Sequence, residues 1–274
     1  MIALGVGRTP HQQKTGTMPQ NRSIYEQPLS ERIRTFLRLE HLFAKAENAL
    51  MNVDPWSSRT TLEAIIDIMA VISRADLKKE MIKELERNAA TLQGLSRNRN
   101  VDPTRLEEVL DAVKGQLAAL RSDASSWGQG LRDDELLSTV RQRSTITAGT
   151  CNFDLPALHF WLQTSADQRK HDLQSWLYCF ELLNTSVSLC LKLVRESAIA
   201  TQELARSGFF QRVLETSTPC LMIRVCVLDE ARCFPEISAG KHRFTIRFMH
   251  PEATRERPSQ TDADVEFDLH CCVI

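Results

Sequence analysis

The sequence predicts an α+β fold: an N-terminal and central helical domain followed by a small antiparallel β-sheet domain. Three observations carry that expectation. Apolar residues recur with a period near 3.6 from Ser30 to about Arg206. After Gly208 the period changes to two. Glycine is scarce, at 10 of 274 residues, roughly half of average usage, and each glycine in a helix interior costs about 1 kcal/mol relative to alanine.

The elements follow in order. Leu29, Ile33, Phe36, Leu37, Glu40 and Phe43 share one side of a first helix. Asp54-Pro55 opens a second, with Leu62, Ile65, Ile66, Met69 and Ile72 facing inward. Asp76 caps a third, which carries Leu77, Met81, Leu85 and Leu92. Asp102-Pro103 sets an N-cap before a proline at the first helical position of a fourth, whose stripe runs from Leu106 to Leu120. Residues 122–130 read as a Ser/Gly linker and 146–152 as a loop. Shorter helices are expected from Asp133 to Arg143 and from Ala157 to Gln163. Ser165 and Gln168 fit a capping box for a helical run reaching about Arg206, broken near Glu181.

Strands follow. Leu221, Ile223, Val225 and Val227 alternate along one; Phe244, Ile246 and Phe248 along another; Val265, Phe267 and Leu269 along a third. Phe209 to Glu215 makes a fourth, and Ile24 and Tyr25 are placed to add an edge strand. The Arg-bearing strand and the acid-bearing strand are expected to pair across an antiparallel sheet. The loop from His250 to Thr261 is long for a hairpin. The organisation read from this is a disordered extension over 1–21, with Met18 an alternative start, a helical domain over 22–207 and a β-strand domain over 208–274.

Composition narrows the function. A net charge of −1 supplies no global field toward nucleic acid or an anionic membrane. The most apolar window, Trp176 to Val194, holds Glu181, Asn184 and Lys192, so it reads as a buried helix of a soluble protein. Eight cysteines in a long chain without a secretory signal point to a reducing compartment, with Cys179 and Cys190 as small hydrophobes in a helical pattern. The chain has no HExxH helix, GxSxG elbow, Walker loop or GxGxxG, and its lone GxG at Gly128–Gly130 follows no strand. These absences favour a binding protein over an enzyme.

Metal is not expected either. His270, Cys271 and Cys272 are adjacent, and adjacent strand residues face opposite ways. Cys220, Cys226 and Cys233 lack a CxxC knuckle. The last four residues match a CaaX pattern, but acids rather than a basic segment precede them, so the match reads as coincidental and no membrane anchoring is expected.

Three basic clusters stand out: Arg34, Arg38, His41 and Lys45 along the first helix; Arg132, Arg141 and Arg143; and Lys241, His242, Arg243 and Arg247 on a strand. Each alone reads as a solvated face. Together they suit an extended peptide of mixed acidic and apolar character. They suit nucleic acid less well, because aromatics do not interleave with them. A nucleic-acid-binding regulator remains the alternative of another class. His159, within Leu158-His159-Phe160-Trp161-Leu162, reads as a core or boundary histidine or as a donor at a peptide pocket.

Four segments, in order along nearly the whole chain from residue 22, resemble the ZapD family of cell division proteins: YEQPLSERIRTFLRLEHLF (from Tyr25), VRQRSTITAGTCNFDLPALHFWL (from Val140), FPEISAGKHRFTIRFM (from Phe234) and the Cys271-Cys272 close. The resemblance implies a cytosolic, non-enzymatic homodimer with a helical domain joined to a β-strand domain and no cofactor. It implies binding to the C-terminal tail of FtsZ, cross-linking of FtsZ filaments and a place in the Z ring at midcell. Arg38 falls in the family's LR-(L/I)-E motif and His159 in its DLP-x-LH motif. The expected tail site is therefore Arg38 supported by Arg34, with His159 nearby, Arg141 and Arg143 at the rim, and Arg243 and Arg247 from the sheet. Glu135 departs from the family, which often carries Arg there.

Overall fold

The structure, a computed structural model, describes residues 22–52, 54–73, 76–97, 101–123, 127–215, 219–240, 242–251 and 257–273. The expected extension over 1–21, Met18 and Lys241 lie outside them. The chain divides into two compact units, one of residues 35–86 and 112–190, the other of residues through Arg34, 87–111 and 191–274. These are groupings in space, whereas the boundary read at 207/208 marks a change of secondary-structure type.

The helices form where capping and periodicity place them. α1 (Glu31–Leu50) buries Ile33, Phe36, Leu39, Phe43 and Ala46; Leu37, expected on that stripe, is half-buried and Leu39 takes its place. α2 (Pro55–Ile72) starts at Asp54, whose carboxylate accepts from the Trp56 and Ser57 N–H groups at 2.9 and 3.0 Å, and every residue expected inward is buried. α3 (Leu77–Gly94) and α4 (Pro103–Ser122) follow, with Asp102 accepting from the Thr104 and Arg105 N–H groups at 3.0 and 3.4 Å.

The stretch read as a linker does structural work instead. Trp127 is buried and its ring N–H donates to Asp123 at 3.2 Å. α5 (Gln129–Arg132) begins from Gly128 at φ +67°, and a Cβ on Gly128 would lie 2.8 Å from the Phe180 ring. Both backbone conformation and close approach require glycine there.

α6 (Glu135–Arg143), α7 (Pro156–Leu162), α8 (Ala166–Tyr178) and α9 (Glu181–Glu196) complete the helices. α2 packs on α7 and α8, and α6 on α5 and α7. Buried Arg169 of α8 donates to Ser58 Oγ of α2 at 3.1 Å and to the Leu162 and Thr164 carbonyls, which satisfies a charge that burial would otherwise penalise. The long apolar run breaks at Cys179–Phe180 with a bend of 60°, and no single described helix is long and apolar enough to cross a membrane. Cys190 is buried as expected, but Cys179 is exposed at the end of α8.

The helical run stops at Glu196, not near Arg206, and the next strand begins at Thr201. Short β2 (Thr201–Ala205) is masked in the sequence by residues that favour helix equally. The other strands are β1 (Arg22–Pro28), β3 (Phe209–Val213), β4 (Cys220–Leu228), β5 (Phe234–Ala239), β6 (Arg243–His250), β7 (Ser259–Gln260) and β8 (Val265–Val273). They form two antiparallel sheets rather than one, in the orders β1-β4-β8-β2 and β3-β6-β5 with β7 on β6. Their inward faces share one core: Ile223, Val225 and Val227 of β4, Phe244, Ile246 and Phe248 of β6, and Val265, Phe267 and Leu269 of β8. Phe248 and Phe210 pack on Phe267 at ring distances of 5.1 and 5.2 Å.

Two sheets also overturn one expected pairing. The Arg-bearing β6 and the acid-bearing β8 lie in different sheets, so their charges do not face across a ladder. Arg247 stands opposite Glu236 of β5 instead, and Asp268 pairs with Arg22 of β1. β1 is held by charge as well as by its ladder. The Glu26 carboxylate accepts two bonds from Arg195 of α9 and one from Arg224 of β4, each 2.8 Å.

Candidate functional site

The first unit carries part of the expected site. Arg38 is exposed on α1, and no described residue bonds its side chain. Arg141 is exposed near the end of α6; Arg143, in the last turn, lies 3.9 Å from Asp154 Oδ1. α7 buries Leu158, Trp161 and Leu162 and turns His159 outward, so His159 is no core histidine. The packing of α6 on α7 brings Arg141, Arg143 and His159 into one region, while Arg38 belongs to a different helix.

That region is richer in exposed aromatics than the sequence pattern implied. Phe160 is 74% and Phe153 85% exposed. The loop before α7 is a chain of turns from Ile146 to Leu155, held by Arg59, which donates to the Thr150 carbonyl and hydroxyl at 3.0 and 2.9 Å. Glu135 sits in the first turn of α6, where a negative charge complements the helix dipole.

The remaining expected residues fall in the second unit. Arg34 is engaged by Glu31 at 2.9 Å within α1. Arg243 and Arg247 project from the outer face of β6, both exposed. Across the ladder, Phe209 stands opposite Arg247 and Val213 opposite Arg243. Phe209 is 43% and Val213 71% exposed, and β3 ends its sheet, bridged at Phe209 to Arg206. The two arginines are about 13 Å apart along the strand, each beside an apolar side chain. Sequence reasoning missed Phe209 and Val213 because β3 is apolar on both faces, with Phe210 turned into the core. An edge strand apolar on both faces is the signal that finds them.

Among the described residues no three His, Cys, Asp or Glu side chains gather as a metal site. On β8, Cys271 stands opposite Ile223 and is half-buried, while Cys272 stands opposite Met222 and is fully buried, as alternation requires. The CaaX-like residues Cys271 to Val273 are part of this strand rather than a tail after it.

Arginines beside exposed apolar side chains are surface chemistry of the class enriched where proteins bind one another. Comparison with known proteins narrows the class. A family model described as a cell division protein, ZapD, matches residues 37–247. A cell division protein ZapD from Methylococcus capsulatus is 36% identical over 255 residues, covering 93% of this chain and 100% of the relative. One from Azoarcus sp. is 38% identical over 250 residues, covering 91% and 99%, and one from Coxiella burnetii 36% over 251 residues, covering 91% and 97%. The chain belongs to the ZapD family of cell division proteins.

Proposed function

We propose that this protein binds the C-terminal tail of FtsZ and, as a cytoplasmic homodimer, cross-links FtsZ filaments into bundles that support the Z ring at midcell. The observation that carries the reading is the register of β3 and β6, which alternates Phe209 and Val213 with Arg247 and Arg243 on one exposed face. An extended peptide carrying acidic and apolar residues matches such a face. It gains main-chain bonds by adding to the β3 edge and charge-assisted bonds from the arginines. Two copies in a symmetric dimer present two such faces. Weak sites engaged along a polymer then gain strength through effective concentration. The function needs no cofactor, nucleic acid, membrane or small-molecule substrate.

One observation favours a second placement of the same activity. Arg38, unpaired among the described residues, and the Arg141, Arg143 and His159 group beside exposed Phe153 and Phe160 offer the same chemistry on the helical unit. Anisotropy titration of a labelled FtsZ tail peptide against Arg243→Glu/Arg247→Glu and against Arg38→Glu separates the two. The sheet placement requires the first variant to lose binding and the second to keep it. Loss in Arg38→Glu alone transfers the site to the helices, and retained binding in both removes tail recognition by these arginines.

A further inference from the structure

Cys220, which opens β4, and Cys271 of β8 are neighbours at one end of their shared ladder. Register sets Cys271 opposite Ile223 and Cys220 opposite Val273, with a bulge between Cys220 and Met222. Cys271 and Val273 are two residues apart and project from the same face, so Cys220 is the diagonal neighbour of Cys271 on that face. The Cys220 thiol donates to the Met222 carbonyl at 3.4 Å. Both line a cleft of about 400 Å³ whose walls include Arg212 and Leu214, so a small solute has room to reach them.

The third component comes from β3. The Arg212 guanidinium pairs with the Glu203 carboxylate and lies 5.5 Å from the Phe210 ring. From there its charge acts on the Cys271 sulfur. Cys272, one residue on, faces the other way, and burial pushes its thiol up to about 12. Both cysteines pack against the core of the sheets, and the proposed tail surface does not use the pair.

We propose that Cys271 is a peroxide-reactive thiol and that Cys220 resolves its oxidised form, closing a Cys220–Cys271 disulfide. In the first step the Cys271 thiolate attacks one oxygen of hydrogen peroxide. An S–O bond forms, the O–O bond breaks, and hydroxide leaves and takes a proton to become water. Sulfur is oxidised to sulfenic acid and the peroxide is reduced. In the second step the Cys220 thiol gives up its proton and attacks the Cys271 sulfur. The S–S bond forms, the S–O bond breaks, and the departing hydroxide leaves as a second water. The electrostatics run the same way: the neighbouring Cys220 thiol and the charge of Arg212 hold Cys271 below the ordinary thiol range, against burial. The neighbouring Cys271 and burial push Cys220 up, which makes Cys271 the attacking thiol and Cys220 the resolving one.

The test uses the full chain, hydrogen peroxide in modest excess, and non-reducing peptide mapping, with exposed Cys179 as the internal reference. Wild type forms a disulfide joining the peptides of Cys220 and Cys271 while Cys179 is still reduced. Cys220→Ser stops at a dimedone-reactive sulfenic acid on Cys271, and Cys271→Ser leaves Cys220 reduced. Arg212→Gln slows oxidation of Cys271 by roughly three- to tenfold as its thiolate fraction falls. Oxidation of Cys179 ahead of Cys271, or a disulfide joining any other pair, overturns the proposal. The wild-type time course and Arg212→Gln decide it even where a cysteine variant fails to fold. FtsZ binding enters none of these measurements.

Discussion

Phe209 and Arg247 stand directly opposite each other on the ladder between β3 and β6, and both are exposed. Four residues along, Val213 and Arg243 repeat the pairing. A strand edge that places charge beside apolar area twice, at even spacing, is suited to reading an extended peptide.

Charge reversal at this face is the first prediction. Arg243→Glu/Arg247→Glu is expected to weaken tail binding at least tenfold, about 1.4 kcal/mol, with the melting temperature nearly unchanged, because both side chains are exposed. Peptide anisotropy and thermal unfolding, run side by side, check it. A large drop in melting temperature would show that the arginines serve the fold instead.

Removing apolar area without charge tests the other half of the pairing. Phe209→Ser and Val213→Ser should weaken binding by a few-fold each while leaving its salt dependence intact. The arginine variants should flatten that dependence. A titration at two salt concentrations distinguishes them.

The Glu26 cluster sets a pH-dependent share of stability. Burial raises the Glu26 carboxyl, but the hydrogen bond and charge of Arg195, together with Arg224, outweigh it, and the pKa falls below the ordinary value. A carboxylate depressed on folding stabilises the protein above its unfolded pKa, about 4.3, and loses that contribution as pH falls through the folded value. Glu26→Gln should cost about 1–3 kcal/mol near neutrality, and the difference from wild type should shrink below about pH 4. Urea unfolding at neutral and acid pH measures both.

The glycines of the short α5 region are not equivalent. Gly128→Ala should destabilise by about 2–4 kcal/mol, from left-handed strain and overlap with Phe180. Gly130→Ala, with nothing within 4 Å of its Cβ and a helical backbone, should stabilise by about 0.5–1 kcal/mol. Denaturant midpoints of the two variants settle the contrast.

Where local signals were strong, the sequence was legible. Asp54, Asp102 and Ser165 marked helix starts because each cap is written within four residues, and β4, β6 and β8 announced themselves by alternation. β2 and β5 were not seen: one is five residues long, the other carries Pro235 at a sheet edge, and neither alternates clearly. The split into two sheets was hidden because pairing partners are chosen by distant residues. At the candidate sites the residue types were readable but their company was not. His159 and Phe160 look like core in a run of apolar residues, and only the packing of α7 shows that they face outward. Arg34 looked like a free cation until Glu31 proved to hold it.

Sedimentation of FtsZ filaments with this protein, using intact FtsZ and FtsZ lacking its C-terminal tail, tests the central claim most directly. The account predicts that intact filaments bundle and pellet while tailless filaments stay in the supernatant. Equal pelleting of both, or of neither, would contradict a tail-binding cross-linker.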